Sequence, residues 1–539
     1  MILTSSPKEN CFPRFLILML LIAAPFVIGG LAVALGQDAN ADLRNYHWYN
    51  AYAFLNGREA LDFLPSQNAY FYNPLLDVPF YLLATHVPAK IASYILGCVQ
   101  GLNFVLLFML GYASLIVTGV YRKIFICSAL AALGVLSAVG IAEIGATSND
   151  NLVSLGILLS AFLIVRSLDS LMLPGRRAFG LAMLCGIPAG MAMGLKLTVV
   201  TFCVGLCCGF LFVESTWRRR VCASLAFGLG VLLGLVITYG YWGWFLQTHF
   251  GSPLFPLFNA VFQSPLAPLN GGRDMTFIPH SLKDFLLFPF LFAKDPLRVN
   301  EIWWRDWRVP ILYAFLPLAL LLRYFVRHDR RVEPACVPPA VARFLLGMGG
   351  ISYLVWLGLF CIYRYLLPLD MLAPLLIVCT AELAPTQPRQ RHVSTAFLLL
   401  IVAVSVHSPW TDRHSGWTDR YVQASLPPLG DTSDLMILMV GNDAYAHLVS
   451  EFPPEFPFVR IQGYFIDDAT AAMSAMLQAR IEAHRGRFLL LIPPDQHDHA
   501  QQALDHFHFI FASGACQTVI DHLHNDKPLD LCPLIKLPR

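Results

Sequence analysis

The chain has 539 residues, of which 56% are hydrophobic and only 13% charged, and its net charge is +2. Soluble proteins carry about 25% charged residues, so most of this sequence is suited to lipid rather than water. With a balanced charge and no basic block, no nucleic-acid partner is expected.

The first apolar run covers residues 15–35, follows Lys8 and Arg14, and is long enough for a membrane span of about 20 residues. A cleaved signal peptide competes with that reading, because Ala39-Asn40-Ala41 has a small-x-small form. Signal cores run only about 7–15 residues, so a retained span is expected. Residues 37–74 come next, QDANADLRNYHWYNAYAFLNGREALDFLPSQNAYFYNP, with two acids, Asp38 and Asp42, ahead of a dense run of Tyr, Trp, His and Asn. Carboxylates are costly in hydrocarbon but not at its edge, and polar-tipped aromatics favour the same depth. The segment reads as a site at a membrane–water interface.

Further apolar runs occupy residues 91–120, 124–141, 152–165, 179–194, 197–213, 222–245, 309–325, 344–362, 366–381 and 395–406. Together they predict a polytopic α-helical membrane protein with about eleven transmembrane helices. The pair around Lys196 reads as two helices or one broken helix. Basic residues fall in every second connection: Arg122 and Lys123; Arg166, Arg176 and Arg177; Arg218, Arg219 and Arg220; Arg323 through Arg331; Arg389 and Arg391. By the excess of positive charge on cytoplasmic loops, the N-terminus is expected in the cytoplasm. An odd number of spans then exports residues 37–74, 143–151 and 249–308, together with the tail from His407.

After HSPWTDRHSGWTDR the composition becomes that of a soluble module. Residues 1–407 are expected to form the membrane domain and 408–539 a small extracytoplasmic (periplasmic) α/β domain. Strands are predicted at 435–440, 458–461 and 487–492, and helices at 469–482 and 496–507, giving a small parallel or mixed sheet. Gly441 follows the first strand, but one glycine does not make a nucleotide cradle. Eleven of the 13 cysteines lie in or beside apolar runs or in cytoplasmic connections. Cys516 and Cys532 lie in the tail, where an oxidising compartment favours a disulfide. His497, His499, His506, His508, His522 and His524 lack zinc-site spacing and read as a solvated surface, so no metal is expected.

Ionisable residues at membrane depth are functional candidates. Asp38 and Asp42 are candidate catalytic acids. Glu143 and Asp150 in AEIGATSNDN, with Asn45 and Tyr46, are candidates for binding an acceptor. Lys196 in GLKLT, Arg305 and Arg308 in EIWWRDWRVP, and Arg364 in IYRYLLPL are candidates for binding a phosphate. Such a set suits a lipid-linked sugar phosphate: cations hold the phosphate and stabilise it as it leaves, while a carboxylate takes the proton of an acceptor hydroxyl. Structural alternatives stand beside each assignment: a helix cap for Asp42, a snorkelling role for Lys196, local ion pairs for Arg305 and Arg308, and a helix anchor for Arg364. Trp303, Trp304 and Trp307 are expected at the headgroups, and His47 as a hydrogen-bonding loop residue.

The sequence DLRNYHWYNAYAFLNGR followed by Tyr72-Asn73-Pro74, with GLKLT and IYRYLLPL farther on, resembles the GT-C superfamily of integral-membrane glycosyltransferases over roughly residues 10–410. The resemblance implies a polyprenyl-phosphate sugar donor, a glycan, lipid or protein acceptor, and a catalytic acid in the first exported loop, at Asp42 or Asp38. It implies no cofactor. Asp42 is preferred because it can open the helix through Tyr46 and Tyr49, which makes a rigid mount. The tail departs from the simplest members. The rival readings are a transporter or lipid flippase, which would place its ionisable groups at mid-membrane in related halves, and a non-catalytic assembly protein.

Overall fold

The computed structural model describes residues 11–269, 275–325, 335–408, 412–430 and 434–538. Lys8, Arg327, Arg330 and Arg331 of the charge pattern lie outside the described residues, as do residues 409–411 at the start of the tail.

The chain is mostly helical. Among the described residues, eight helices are long and apolar enough to cross a membrane: Phe12–Leu35, Ala89–Ser114, Asp150–Leu171, Arg176–Leu195, Trp217–Phe250, Arg308–Phe325, Pro339–Leu359 and Tyr363–Ala381. Three more of the apolar runs form helices that fall short in length or apolar content: Val120–Val135, the interrupted Leu197–Phe212, and Pro388–Ser405. Small residues set the tightest helix contact. Gly186, Gly190 and Gly194 of Arg176–Leu195 face Gly230, Val231, Gly234 and Thr238 of Trp217–Phe250, and a Cβ on Gly190 or Gly230 would strike the carbonyl of Val231 or Met183. Backbones approach this closely only where side chains are absent. The contact fixes the end of Arg176–Leu195, from which Lys196 emerges.

The C-terminal region is a mixed sheet of seven strands: β1 (Ala424–Ser425), β2 (Leu435–Met439), β3 (Phe458–Arg460), β4 (Arg487–Ile492), β5 (Phe509–Phe511), β6 (Gln517–Asp521) and β7 (Lys527–Lys536). Their order is β1-β6-β7-β4-β2-β3, with β5 also on β7. β2 runs parallel to β3 and β4, while β7 is antiparallel to β4, β5 and β6. The fully apolar sequence of β2 reflects burial on both faces, as parallel strands require. Helices Ala471–Ala483 and His497–His506 match the sequence expectation closely. The sequence reading missed β1, β5, β6 and β7; β7 carries Pro528 and Pro533, which disguise a strand. Cys516 and Cys532 are joined by a disulfide that staples the start of β6 to β7.

The first loop and this sheet are not separate bodies. Phe63 pairs in parallel with Val459, so the loop adds a partner to the edge of β3. Asp62 is fully buried; it accepts hydrogen bonds from Arg58 and from the Phe458 amide, at 2.9 Å for the latter. Arg58 also donates to the carbonyls of Pro454 and Phe456, both at 2.6 Å. Tyr49, Tyr52, Phe63 and Phe71 share one core with β2, β3 and β4 and with Tyr239 and Trp242 from the end of Trp217–Phe250. Each such ring contributes roughly 1.5–3 kcal/mol by burial.

Removing one partner of a buried ion pair costs about 3–5 kcal/mol, because the other charge is stranded. Arg58→Ala is therefore expected to loosen the C-terminal region from the loop, seen as faster limited proteolysis after residue 408 in detergent-solubilised protein. Cleavage at the wild-type rate would show that the pair does not hold the two together.

Candidate active site

Helix Cys11–Leu35 stops before Gly36, whose φ of +99° turns the chain out of the helix. The two acids that follow have different fates. Asp38 is completely buried, and its carboxylate accepts four hydrogen bonds: from the Asn40 amide and side chain at 3.1 and 2.9 Å, and from the Thr147 amide and hydroxyl at 2.8 Å each. It ties the first loop to the 143–151 connection, and none of its surface is open to solvent. Asp38 as an alternative base is therefore corrected to a structural tie.

Asp42 keeps a quarter of its side chain exposed. It precedes the turn Leu43–His47 but makes no capping bond; the Leu43 amide instead donates to the Asn40 side chain at 2.7 Å. The cap explanation for Asp42 falls away. The turn is wound as a π-helix, closed by the Trp48 amide on the Leu43 carbonyl, before the α-helix Trp48–Asn56 begins. Such widened turns occur often at functional sites, and His47 closes this one with its imidazole paired to Asp77.

The Asp42 carboxylate accepts a hydrogen bond from Arg364 at 2.6 Å. Arg364 stands in the short turn Tyr363–Leu366 and is 30% exposed. Next to it, Tyr365 presents its ring to two cations, Arg364 and Lys196, each 5.4 Å from the centroid. Lys196 donates to Asp150 at 2.9 Å and to the Ser148 carbonyl at 2.7 Å. Its position is supported by Asn73, whose amide donates to the carbonyls of Gly194 (2.9 Å) and Thr238 (2.8 Å) on the two tightly packed helices. Glu143 accepts from the Ser148 hydroxyl.

Beneath this layer, His47 Nδ1 lies 2.7 Å from Asp77 Oδ1, which also accepts from Asn149 at 2.6 Å. Tyr46 stacks beside His47 at 4.1 Å and meets Tyr72 edge-on at 5.3 Å. From the C-terminal region, the Tyr464 hydroxyl donates to Asn68 at 2.7 Å and lies within hydrogen-bonding reach of the Asn45 side chain. Tyr72 and Tyr464 remain 41% and 44% exposed, so the rim is aromatic and open.

Charge at the site follows from these contacts. Burial pushes the Asp42 carboxyl up, but Arg364, His47 and Lys196 outweigh it and hold the group below its ordinary value. Burial, reinforced by the neighbouring charge of Asp150, pushes Glu143 up to about 8. Burial also raises Asp77, against the opposing pull of His47 and Asn149.

Of the residues predicted from sequence, the structure brings together Asp42, Tyr46, Asn45, Glu143, Asp150, Lys196 and Arg364. It does not bring Arg308. That side chain is fully buried, bonded to Asp306 at 2.9 Å and to the Leu133 carbonyl at 2.9 Å, with Asp370 3.6 Å away. As a phosphate ligand Arg308 is corrected to a member of this buried network. Arg305 is exposed, its guanidinium 5.4 Å over the Trp303 ring and its backbone paired with His407. Trp303 and Trp307 are exposed as expected, but Trp304 is buried against Phe292 and Tyr363. Sequence reasoning gave no role to Asp77, Asn149, Tyr365 or Tyr464; only Asn73, in Tyr72-Asn73-Pro74, carried a readable signal. In the tail, His497 pairs with Asp530, His522 with Asp526, and His524 contacts Arg44.

Compared with known proteins, the chain matches no family model and no curated protein.

The raised Glu143 gives a pH test. Its carboxyl releases its proton near 4.5 in the unfolded chain but near 8 in the folded one, so folding favours the protonated form. Stability from this group is full below about pH 4.5 and is lost as pH rises toward 8. Glu143→Gln should therefore melt at a higher temperature than wild type at pH 8 and at the same temperature at pH 4.5. An equal difference at both pH values would contradict the assignment.

Proposed function

We propose that this chain is an integral-membrane glycosyltransferase of the GT-C kind, moving a sugar from a polyprenyl-phosphate donor to an acceptor hydroxyl on a glycan, lipid or protein. The observation that carries the reading is the Asp42–Arg364 pair: a half-open carboxylate and guanidinium, with Lys196 across the Tyr365 ring. A carboxylate and two cations at the end of an apolar helical bundle suit a phosphate that arrives on a lipid. Arg364 fits a phosphate through its planar fork, and Lys196 adds a point charge.

The donor phosphate competes with Asp42 for Arg364. Once Arg364 turns to the phosphate, the Asp42 carboxylate is free to accept the acceptor's proton. The acceptor oxygen attacks the anomeric carbon, the bond from that carbon to the phosphate oxygen breaks with its electron pair leaving on the phosphate, and the configuration inverts. Arg364 and Lys196 stabilise the charge that develops on the leaving group. Glu143 and Asp150, with Asn45 and Tyr46, line the acceptor side. The exposed rings of Tyr72 and Tyr464 suit the apolar face of a sugar. No cofactor enters this scheme.

With about eleven spans and the alternation of basic connections, the N-terminus lies in the cytoplasm of a bacterial cell, and the site and the C-terminal domain lie on the periplasmic face of the inner membrane.

The test is transfer in membranes supplied with a labelled polyprenyl-phosphate sugar. Asp42→Asn removes the base and should lower kcat by about 10²–10⁴-fold. Arg364→Lys keeps the charge but loses the fork, so it should raise KM for the donor more than it lowers kcat. Full transfer by Asp42→Asn at normal expression would rule out Asp42 as the base.

A further inference from the structure

The two helices that meet tightly beside Lys196 part company at their other ends. From Gly186 to Gly194 on one, and from Gly230 to Thr238 on the other, backbone lies against backbone. Toward the starts of Arg176–Leu195 and Trp217–Phe250 the facing residues include Phe179 and Arg219, and the space between the helices is not filled. A cavity of about 200 Å³ remains, lined by Leu171, Ala178, Phe179 and Ala223 together with Arg218 and Arg219. A second groove of about 330 Å³ adjoins it, sharing Phe179, Arg218 and Cys222 and adding Trp217, Val221 and Leu225. Leu225 begins an exposed stripe that continues through Leu229, Leu232 and Val236, the face that a spanning helix turns to lipid. Helix Arg176–Leu195 has 20 residues. At about 1.5 Å each they reach about 30 Å, the thickness of the hydrocarbon core. With Lys196 at one end of that helix, the grooves lie at the opposite membrane interface.

Positive charge gathers at the same place. Arg176 and Arg177 begin one helix and Arg218, Arg219 and Arg220 the other, with no acid in either first turn. Arg219 donates to the Met172 carbonyl, and Arg220 to those of Ser215 and Leu211. Arg176, Arg177 and Arg218 are exposed and pair with no carboxylate among the described residues. Of the acids nearest in the chain, Glu214 is taken by Arg343 at 2.5 Å. Asp169 is exposed and forms no ion pair among the described residues. An apolar slot beside arginines that lack counter-ions is complementary to an amphiphile with an anionic head. We propose that these grooves bind one anionic phospholipid, with an acyl chain along Ala178, Phe179 and Ala223 and the phosphate at Arg218. Arg218 lines both grooves, and its planar fork can hold a phosphate through two bonds. Basic pockets between spanning helices suit lipid headgroups in this way. The lipid fills the gap between two helices whose far ends frame Lys196. The proposal needs only that these helices cross a membrane and is independent of the transferase reading.

The experiment is native mass spectrometry of the full chain in neutral detergent, titrated with phosphatidylglycerol, phosphatidylcholine or inorganic phosphate. Wild type should retain one phosphatidylglycerol at concentrations where phosphatidylcholine and inorganic phosphate leave no adduct. A basic residue near a membrane surface is worth about fivefold in affinity for anionic lipid, so Arg218→Gln should weaken retention by at least about that factor. Arg389→Gln removes an exposed arginine from a different connection and should leave retention unchanged. Ala178→Phe fills the slot without touching a charge and should abolish the adduct. If Ala178→Phe fails to accumulate, the comparison of the two arginine variants decides. Equal retention of the two lipids, or phosphate bound as tightly as phosphatidylglycerol, overturns the proposal. So does an equal loss in Arg218→Gln and Arg389→Gln, which would reduce the effect to general surface charge, or an intact adduct in Ala178→Phe.

Discussion

Everything at the site depends on one carboxylate that touches no other site residue. Asp62 collects four hydrogen bonds, two from Arg58 at 2.7 Å, one from the Tyr49 hydroxyl at 3.0 Å and one from the Phe458 amide at 2.9 Å. Tyr49 belongs to the helix that continues the π-turn, Arg58 to the turn that ends it, and Phe458 to the C-terminal sheet. A charge this deep is tolerable only when every neighbour is in place. In the conformation these bonds hold, Asp42 meets Arg364.

The electrostatics of the site are those of a cluster short of cations. Asp42, Asp77, Glu143 and Asp150 share Arg364 and Lys196, and the structure reconciles the imbalance by burial: Glu143 is raised, while Asp42 is held down by its direct partner. At an effective dielectric near 20, a unit charge pair at 4 Å is worth about 4 kcal/mol. Small rearrangements of either cation therefore redistribute charge among all four acids. The two cations are held in place by contacts of their own, Arg364 by Asp42 and Lys196 by Asp150 and the Ser148 carbonyl.

The helical bundle was readable in the sequence because hydropathy over twenty residues depends on local composition alone. Most predicted apolar runs fall largely within one helix, although 91–120 and 124–141 each cross a break between two, and the break at Lys196 was visible as two short runs. The apolar strands β2, β3 and β4 were readable from local composition too, while the cysteine pair was readable from its place in the tail. What escaped were properties set by distant residues. Asp38 and Asp42 have the same local surroundings; Thr147, more than a hundred residues on, consumes the first and Arg364 the second. Arg308 looked available beside Asp306, but Leu133 and Asp370 enclose it. His47 gains its partner from Asp77, thirty residues away. The longest missed strand, β7, was hidden by its prolines, and the union of loop and sheet left no trace in local pattern.

That union imposes an order of events on synthesis. The Asp62–Phe458 contact spans 396 residues, so at about 5–20 residues per second the loop waits roughly 20–80 s for its strand partner to be made. Through that interval Phe63 has no sheet to pair with, and Tyr49, Tyr52 and Phe71 lack most of their core. The core that holds the loop is complete only once the last quarter of the chain has been made. The site is thus among the last parts of the molecule to take shape, although its acid is among the first residues translated, and a chain released early would carry the residues of the site without its geometry.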